Sequence, residues 1–296
     1  MARRAIVILN HTARNAAVHK LLAKMAAMGW EFVDPHAGRP EDIAKAIRQR
    51  NGYIDAVIIA GGDGTCSAAA DALVESQLPM GLLPYGTAND LARTLNIPVD
   101  PIAAMDIIAA GVTRRIDLGW VNGKHFFNAA SLGLTVKITR QLRREHKSRW
   151  GVFAYAIAAS KMMIKARPFR AEIIAGDQSY RVKTVQIAVG NGRHYGGGMT
   201  IHEDARIDDG LLDLHSLEVK SWWQLLPLVP ALRHGTTERS TRVRTLRGTE
   251  FTIRPIHHQR TISADGEIVG HTPATFRVVP QCLSVFAPGS SEVADK

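Results

Sequence analysis

Cysteine is scarce, at two residues in 296. Two thiols build neither a disulfide framework nor a four-thiolate zinc site, so the expected setting is reducing and cytoplasmic. Long apolar runs are missing as well. Residues 5–9 are apolar, but polar Asn10, His11 and Thr12 follow at once, far too soon for the hydrophobic segment of a secretory signal. The longest run elsewhere, residues 152–159, falls well below the roughly 20 residues of a membrane-spanning helix. Any contact with a bilayer is therefore expected to be peripheral. Aromatic residues make up only 6%, too few to suggest base-stacking platforms, and no nucleic-acid-binding module is recognisable. Acidic residues are outnumbered, 27 against 37 Lys and Arg, and the net charge of +10 calls for an anionic partner. Nucleotide phosphates, nucleic acid and an anionic membrane all qualify. The 46% hydrophobic content excludes disorder. A chain of 296 residues divides into about two domains, with a core large enough to need no disulfide or metal.

Several catalytic patterns are absent too. No phosphate loop of the GxxxxGKS or GxxxxGKT form occurs. His202-Glu203 is followed by Arg206 where a zinc-protease helix needs its second His. Ala129-Ala130-Ser131-Leu132-Gly133 begins with Ala where a hydrolase elbow begins with Gly. His257-His258 reads as a surface pair. Cys66 lies near an expected helix start, where a thiol can be acidified, but it reads as a buried structural residue.

What is present is an alternation of short apolar strands and helices. Residues 5–9, 31–33, 55–60 and 80–83 read as strands; residues 13–28, 40–50, 66–75, 88–94 and 101–110 read as helices. Continuous apolar strands separated by helices imply a parallel sheet covered on both faces. Beyond about residue 115 strands dominate, at 115–121, 125–130, 170–174, 178–189, 211–218, 250–254, 260–263, 267–269 and 275–280. That density indicates a sandwich or barrel. Helices interrupt it at 150–165 and at 222–233, the second bent by Pro227 and Pro230. The end of the chain from residue 289 reads as a frayed tail.

The strongest local signal is Gly61-Gly62-Asp63-Gly64-Thr65, between an expected strand and an expected helix. Glycines let a phosphate approach the backbone closely, and the helix start offers N–H groups and positive potential. Leu82-Leu83-Pro84-Tyr85-Gly86-Thr87-Ala88-Asn89-Asp90 repeats the logic after the next strand, although Asn89 or Asp90 also reads as a plain helix cap. Both loops leave the carboxyl ends of strands in one sheet, where open α/β folds place their ligands. Asp265-Gly266, taken alone, is a hairpin turn.

Together with Arg115-Ile116-Asp117-Leu118-Gly119, Asn128-Ala129-Ala130-Ser131-Leu132-Gly133, the segments at 190–198 and 205–213, and Asp265-Gly266-Glu267, these loops form an ordered set. That set resembles the diacylglycerol kinase catalytic-domain family over nearly the whole chain, nearest its soluble bacterial lipid kinases. The resemblance implies an α/β N-terminal domain with a Rossmann-like parallel sheet of the NAD kinase and diacylglycerol kinase type. A β-rich, sandwich-like C-terminal domain would bind lipid. The division implied is 1–118, completed by 281–290 through a returning strand at 283–287, then 119–280, with 291–296 as the tail.

The activity implied is transfer of the γ-phosphoryl group of ATP to a lipid hydroxyl, which needs cradled phosphates, Mg2+ and a base. The resemblance assigns Gly61, Gly62, Asp63, Gly64 and Thr65 to the phosphates, and Thr87 and Asn89 to the nucleotide. Asp63, Asp90 and Asp117 would converge as a metal or water network. Asp265 would be the general base, with Glu267 beside it. Asn10 and Arg14 stand where relatives carry an NPxxG-type segment and a basic residue, here without the Pro and Gly. Residues 34–38 lack the nucleotide-contacting Thr that relatives often carry. Residues 206–211 resemble a structural magnesium loop, with the Asp209 carboxylate and the carbonyls of Arg206 and Leu211 as an all-oxygen ligand set.

Lys137, Arg140, Arg143, Arg144, Lys147 and Arg149 lead into an apolar stretch from Trp150. The pairing suits docking on an anionic bilayer that carries the lipid substrate, and Trp222-Trp223 would add interfacial aromatics; a solvated basic face fits the same residues. Arg233, Arg239, Arg242, Arg244 and Arg247 read as surface. The expected partners are ATP and a lipid in an anionic membrane, with a second copy of the chain admitted and no nucleic acid. The residues leave three rivals open: a soluble-metabolite kinase of the NAD kinase type, a catalytically silent regulator, and a nucleic-acid-binding protein.

Overall fold

Ala5, Ile6, Val7 and Ile8 are fully buried in β1 (Arg3–Leu9), as a strand covered on both faces must be. They belong to a computed structural model that describes residues 3–9, 16–33, 40–134, 136, 167–219, 221, 223–224, 228, 233–236 and 240–288. The expectations for Asn10, Arg14, residues 34–38, the 137–149 basic cluster, the 150–165 helix, most of the 222–233 helix and the 291–296 tail fall outside these residues. After β1 come α1 (Ala16–Ala27), β2 (Trp30–Phe32), α2 (Pro40–Arg50), β3 (Ala56–Gly61) and α3 (Asp63–Ser76). Then follow β4 (Met80–Pro84), α4 (Asp90–Thr94), α5 (Pro101–Ala110) and β5 (Thr113–Val121). Local chemistry explains the sharpest boundaries. Asp100 accepts from Ala103 N at 3.1 Å, Pro101 opens α5, and Gly111 closes it at φ 72°.

The remaining elements are strands: β6 (Lys124–Phe126), β7 (Ala129–Gly133), β8 (Phe169–Ala175), β9 (Gln178–Thr184), β10 (Gln186–Gly190), β11 (His194–Tyr195) and β12 (Met199–Thr200). After them run β13 (Leu212–Leu217), β14 (Val243–Gly248), β15 (Glu250–Pro255), β16 (Thr261–Ala264), β17 (Glu267–His271) and β18 (Ala274–Phe286). One sheet runs β2-β1-β3-β4-β18-β15-β8-β9, with β5 paired to β18 and β6. Its β2-β1-β3-β4 part is parallel. A second, antiparallel sheet runs β14-β13-β10-β7-β16-β17. The two sheets face each other across one apolar cluster, with Ala171, Ile173, Phe251, Ile253 and Phe276 on one side and Leu132, Ile187, Val189, Leu214 and Ile262 on the other. Phe251 and Phe276 are fully buried, and each stabilises the sandwich by roughly 1.5–3 kcal/mol. Among the described residues no helix is long and apolar enough to cross a membrane.

Four expectations need correction. The helix expected at 66–75 begins at Asp63, because Thr65 N and Cys66 N both donate to Gly62 O, at 2.9 and 3.2 Å. Asp63, Gly64 and Thr65 are therefore its first turn, not loop. The single strand expected at 125–130 is two, β6 and β7, in different sheets. The strand expected at 178–189 likewise divides at Val185, whose N–H donates to Leu217 O at 3.0 Å. Conversely, 275–280 and 283–287 join in the 13-residue β18, whose pairing with β5 shifts register between Val279 and Leu283, around Gln281 at φ 45°. β14 escaped the sequence pattern because arginines occupy it, as suits an edge strand.

Candidate active site

Two turns meet at the carboxyl ends of β3 and β4. A Cβ on Gly62 would stand 2.8 Å from Gly86 Cα, and one on Gly86 would stand 2.6 Å from Gly62 Cα. Only two glycines permit backbones to approach so closely. Tyr85 N donates to Gly61 O at 2.9 Å, which carries the ladder into the turn. The Asn89 side chain spans the second turn, accepting from Gly86 N and donating to Gly86 O, both at 2.9 Å, with its own backbone at φ 51°. No side chain caps α3, whose N-cap is Gly62. With Thr65 N and Cys66 N turned to Gly62 O, the N–H groups of Asp63 and Gly64 stand at the positive end of the helix, where an anion is favoured. Gly64 and Thr87 are exposed beside that end.

The acid at the start of α3 organises the next layer. Asp63 accepts from Asp90 N at 3.1 Å and Leu91 N at 2.9 Å, so its carboxylate holds the start of α4. Asn128 Nδ2 donates to the same carboxylate at 3.4 Å. Asn128 lies in the break between β6 and β7, and its backbone reaches a second acid. Asp265 accepts from Phe127 N at 2.7 Å, Asn128 N at 3.0 Å and Ala129 N at 3.1 Å. These three N–H groups turn toward a carboxylate instead of a neighbouring strand, which is why β6 ends and β7 begins here. Asp265 and Gly266 form the tight turn between β16 and β17, at φ 45° and 86°. The hairpin reading was thus correct, and it is this turn that aims the acid. Burial pushes the Asp265 carboxyl up to about 6 despite its N–H donors, and the Asp63 charge adds to the rise. An acid tuned toward neutrality is suited to exchange a proton near pH 7.

Residues 4–121 match the diacylglycerol kinase catalytic domain, and residues 128–287 match the YegS C-terminal NAD kinase beta sandwich-like domain. A diacylglycerol kinase of Mycobacterium tuberculosis is 32% identical over 94% of this chain and 92% of its own length. The chain belongs to the diacylglycerol kinase family. A probable lipid kinase YegS-like of Yersinia enterocolitica is 32% identical over 81% of each chain. A structure of a putative diacylglycerol kinase from Bacillus anthracis shares the fold, with TM-score 0.82 and 23% identity over 97% of this chain and 96% of its own.

Within this lipid-kinase fold the other expected site residues divide. Asp63 and Asp265 are brought together through Asn128, but Asp90 and Asp117 serve other loops. Asp90 accepts from Gly197 N at 2.7 Å and Gly198 N at 2.8 Å, and burial raises its carboxyl pKa. Asp117, 1% exposed, accepts from Gly210 N and Gln281 N, both at 2.6 Å. Of the three aspartates expected to converge as a metal or water network, Asp63 holds the backbone N–H of Asp90, and each carboxylate accepts backbone N–H groups of a different segment. Glu267 lies exposed at the start of β17, opposite Ala264.

The magnesium loop differs more. Asp209 accepts from Leu211 N at 3.0 Å and from the Arg247 guanidinium, while the Arg206 side chain pairs with Asp208 at 3.1 Å. Arg247, read from sequence as surface, thus neutralises the proposed ligand. Among the described residues no group of three or more His, Cys, Asp or Glu side chains could hold a metal; the set expected at 206–211 has one carboxylate and two backbone carbonyls, and that carboxylate is engaged by Leu211 N and Arg247.

The sequence reading gave Asn128 and Asn191 no role beyond the family pattern. Asn191 donates to Asp117 O at 2.9 Å and Phe127 O at 3.1 Å, bracing the break from behind. Cys66 is buried, and burial, with Asp63 and Asp265 nearby, pushes its thiol well above the usual range. That matches the structural reading.

Proposed function

We propose that this kinase transfers the γ-phosphoryl group of ATP to a free hydroxyl of a glycerolipid such as diacylglycerol, at the membrane surface. One observation carries the reading. The Asp265 carboxylate is held by three backbone N–H groups and joined through Asn128 to Asp63, at the start of the uncapped α3. A base and a phosphate-accepting helix start thus share one bridging residue.

The β- and γ-phosphates lie against the first turn of α3 and the Gly62–Gly86 contact, with Thr65 and Thr87 as hydroxyl donors. Asn89 acts on the nucleotide by fixing the turn that carries Thr87. Magnesium brought in with the nucleotide supplies charge neutralisation between its phosphates; Asp63 Oδ2, with one N–H partner, keeps a lone pair for a hard cation. Asp265 takes the proton of the acceptor hydroxyl as its oxygen bonds to the γ-phosphorus, and the bond to the departing ADP breaks. At neutral pH Asp265 is mostly ionised and ready. In this reading the residues up to about 118 hold the nucleotide and the later ones supply the base. The basic cluster from Lys137 to Arg149 supports membrane docking from the cytoplasmic side, and Trp223, 55% exposed, supports an interfacial contact.

The test is labelled ATP and magnesium with mixed micelles of diacylglycerol, monoacylglycerol, phosphatidylglycerol or ceramide. Labelled lipid is the expected product. Transfer to none of them, with ATP consumed on a soluble metabolite or not at all, overturns the reading.

A further inference from the structure

The segment that cradles Asp265 is fastened to α3 a second time, away from the reacting groups. Asp71 lies in the middle of α3. Its Oδ1 accepts from His125 N at 3.0 Å and sits 2.9 Å from His125 Nδ1, and its Oδ2 accepts from Lys124 Nζ at 2.8 Å. The Asp71 and His125 side chains are 19% and 17% exposed, so the contact is largely sheltered. Burial works against the Asp71 charge, yet the hydrogen bonds from His125 and Lys124 hold the carboxyl below its usual range. A group held charged against burial marks a strong local interaction.

The two fastenings are spaced along the helix. Asp63 and Asp71 are eight residues apart on α3, about 12 Å along a helix. Their partners Asn128 and His125 stand on either side of the end of β6 at Phe126. One attachment would let the segment pivot; two set both its position and its direction. Between them Phe126 packs where a Cβ on Gly119 would lie 2.0 Å from its ring, which removes slack on the far side. Immediately after come the three N–H groups that grip Asp265.

We propose that Asp71 is a positioning residue for phosphoryl transfer: it locks residues 124–129 to the phosphate-binding helix and so sets where Asp265 stands relative to the γ-phosphate. The inference rests on the lipid-kinase reading above. It assigns Asp71 no contact with substrate. Asp71 acts through His125 and the N–H cradle, so its effect falls on the base and leaves the helix start unchanged. A base displaced by about 1 Å loses on the order of a hundredfold in rate.

The experiment compares wild type, Asp71→Ala, Asp71→Asn, Asp265→Asn and the double variant Asp71→Ala/Asp265→Asn in the labelled-ATP micelle assay. Affinity for a non-hydrolysable ATP analogue is measured alongside. Asp71→Ala is expected to lower kcat about tenfold to a hundredfold with the analogue affinity and the KM for ATP within about twofold. Asp71→Asn, which keeps an acceptor for His125 N, is expected to recover most of the rate. The double variant should be no slower than Asp265→Asn alone, because a residue acting through the base has nothing left to position. Multiplicative losses in the double variant, an unchanged kcat in Asp71→Ala, or parallel losses of rate and analogue affinity would overturn the proposal. If Asp71→Ala does not fold, Asp71→Ser, whose side chain is too short to reach His125 N, paired with Asp265→Asn supplies the same cycle. A wild-type enzyme that phosphorylates none of the lipids defeats the lipid-kinase reading instead, so the two failures are distinguishable.

Discussion

Asp265→Asn separates the electrostatics of the base from its hydrogen bonding. The wild-type carboxyl moves from 3.8 to about 6 on folding. At about 1.36 kcal/mol per unit, the folded state disfavours the charged form by roughly 3 kcal/mol. The sign follows from proton counting. Between the two values the folded protein holds a proton that the unfolded chain has released. Stability therefore falls as pH rises through the window from about 4 to about 6, then stays level. Asn cannot titrate, so the variant lacks that slope. It does lose one pairing: its single oxygen can serve Asn128 N and Ala129 N, leaving Phe127 N facing an amide nitrogen. An unpaired buried N–H costs about 1–3 kcal/mol at every pH. Near pH 7 the two effects nearly cancel, while near pH 4.5 the wild type regains about 2 of the roughly 3 kcal/mol. Urea unfolding of both proteins at pH 4.5, 6 and 7.5 measures this. The difference between them should change by about 2 kcal/mol across the range, in favour of the variant as pH rises. A constant difference would refute the claim that burial sets this carboxyl. In the wild type, the same titration predicts log kcat/KM falling with unit slope below about pH 6.

Gly62→Ala drives a Cβ to within 2.8 Å of Gly86 Cα, a backbone atom that cannot rotate away. A loss of about 1–3 kcal/mol and at least a tenfold weaker nucleotide analogue are expected by thermal unfolding and binding; near-wild-type affinity would contradict the contact's role. Asp90→Asn leaves one of Gly197 N and Gly198 N without its acceptor. Hydrogen exchange at those amides should accelerate tenfold or more, while the amides of β3 stay protected. Cys66 and Cys282 are buried with thiols pushed up, Cys282 to about 11. Both should resist a thiol-specific disulfide reagent at pH 8 until urea unfolds the protein, and rapid labelling of the folded chain would contradict their burial.

Where cause and effect lie close in sequence, the fold was legible. Residues 40–50 and 101–110 were bounded as observed, because Pro40, Glu41 and Asp42 open one helix and Asp100-Pro101 the other. The parallel strands read directly from their apolar runs. The break between β6 and β7 was not legible, because it is made by Asp265, 138 residues beyond Phe127. Nothing in the local run of His125-Phe126-Phe127-Asn128-Ala129-Ala130 interrupts a strand. The division of labour among Asp63, Asp90 and Asp117 was hidden for the same reason, since each one's partners lie in distant loops. Asp209 is a further case: its pairing with Arg247, 38 residues further on, left no mark on the local loop sequence.

The central claim is that Asp265, held by the N–H groups of residues 127–129, is the base for phosphoryl transfer to a lipid. The most direct measurement is the transfer of labelled phosphate from ATP to diacylglycerol micelles, by wild type and Asp265→Asn at pH 7.5, with analogue binding as control. The account predicts labelled lipid from the wild type, a loss of about 10²–10⁴-fold in the variant, as expected when a general base is removed, and equal analogue affinity. Near-normal turnover by Asp265→Asn would contradict it.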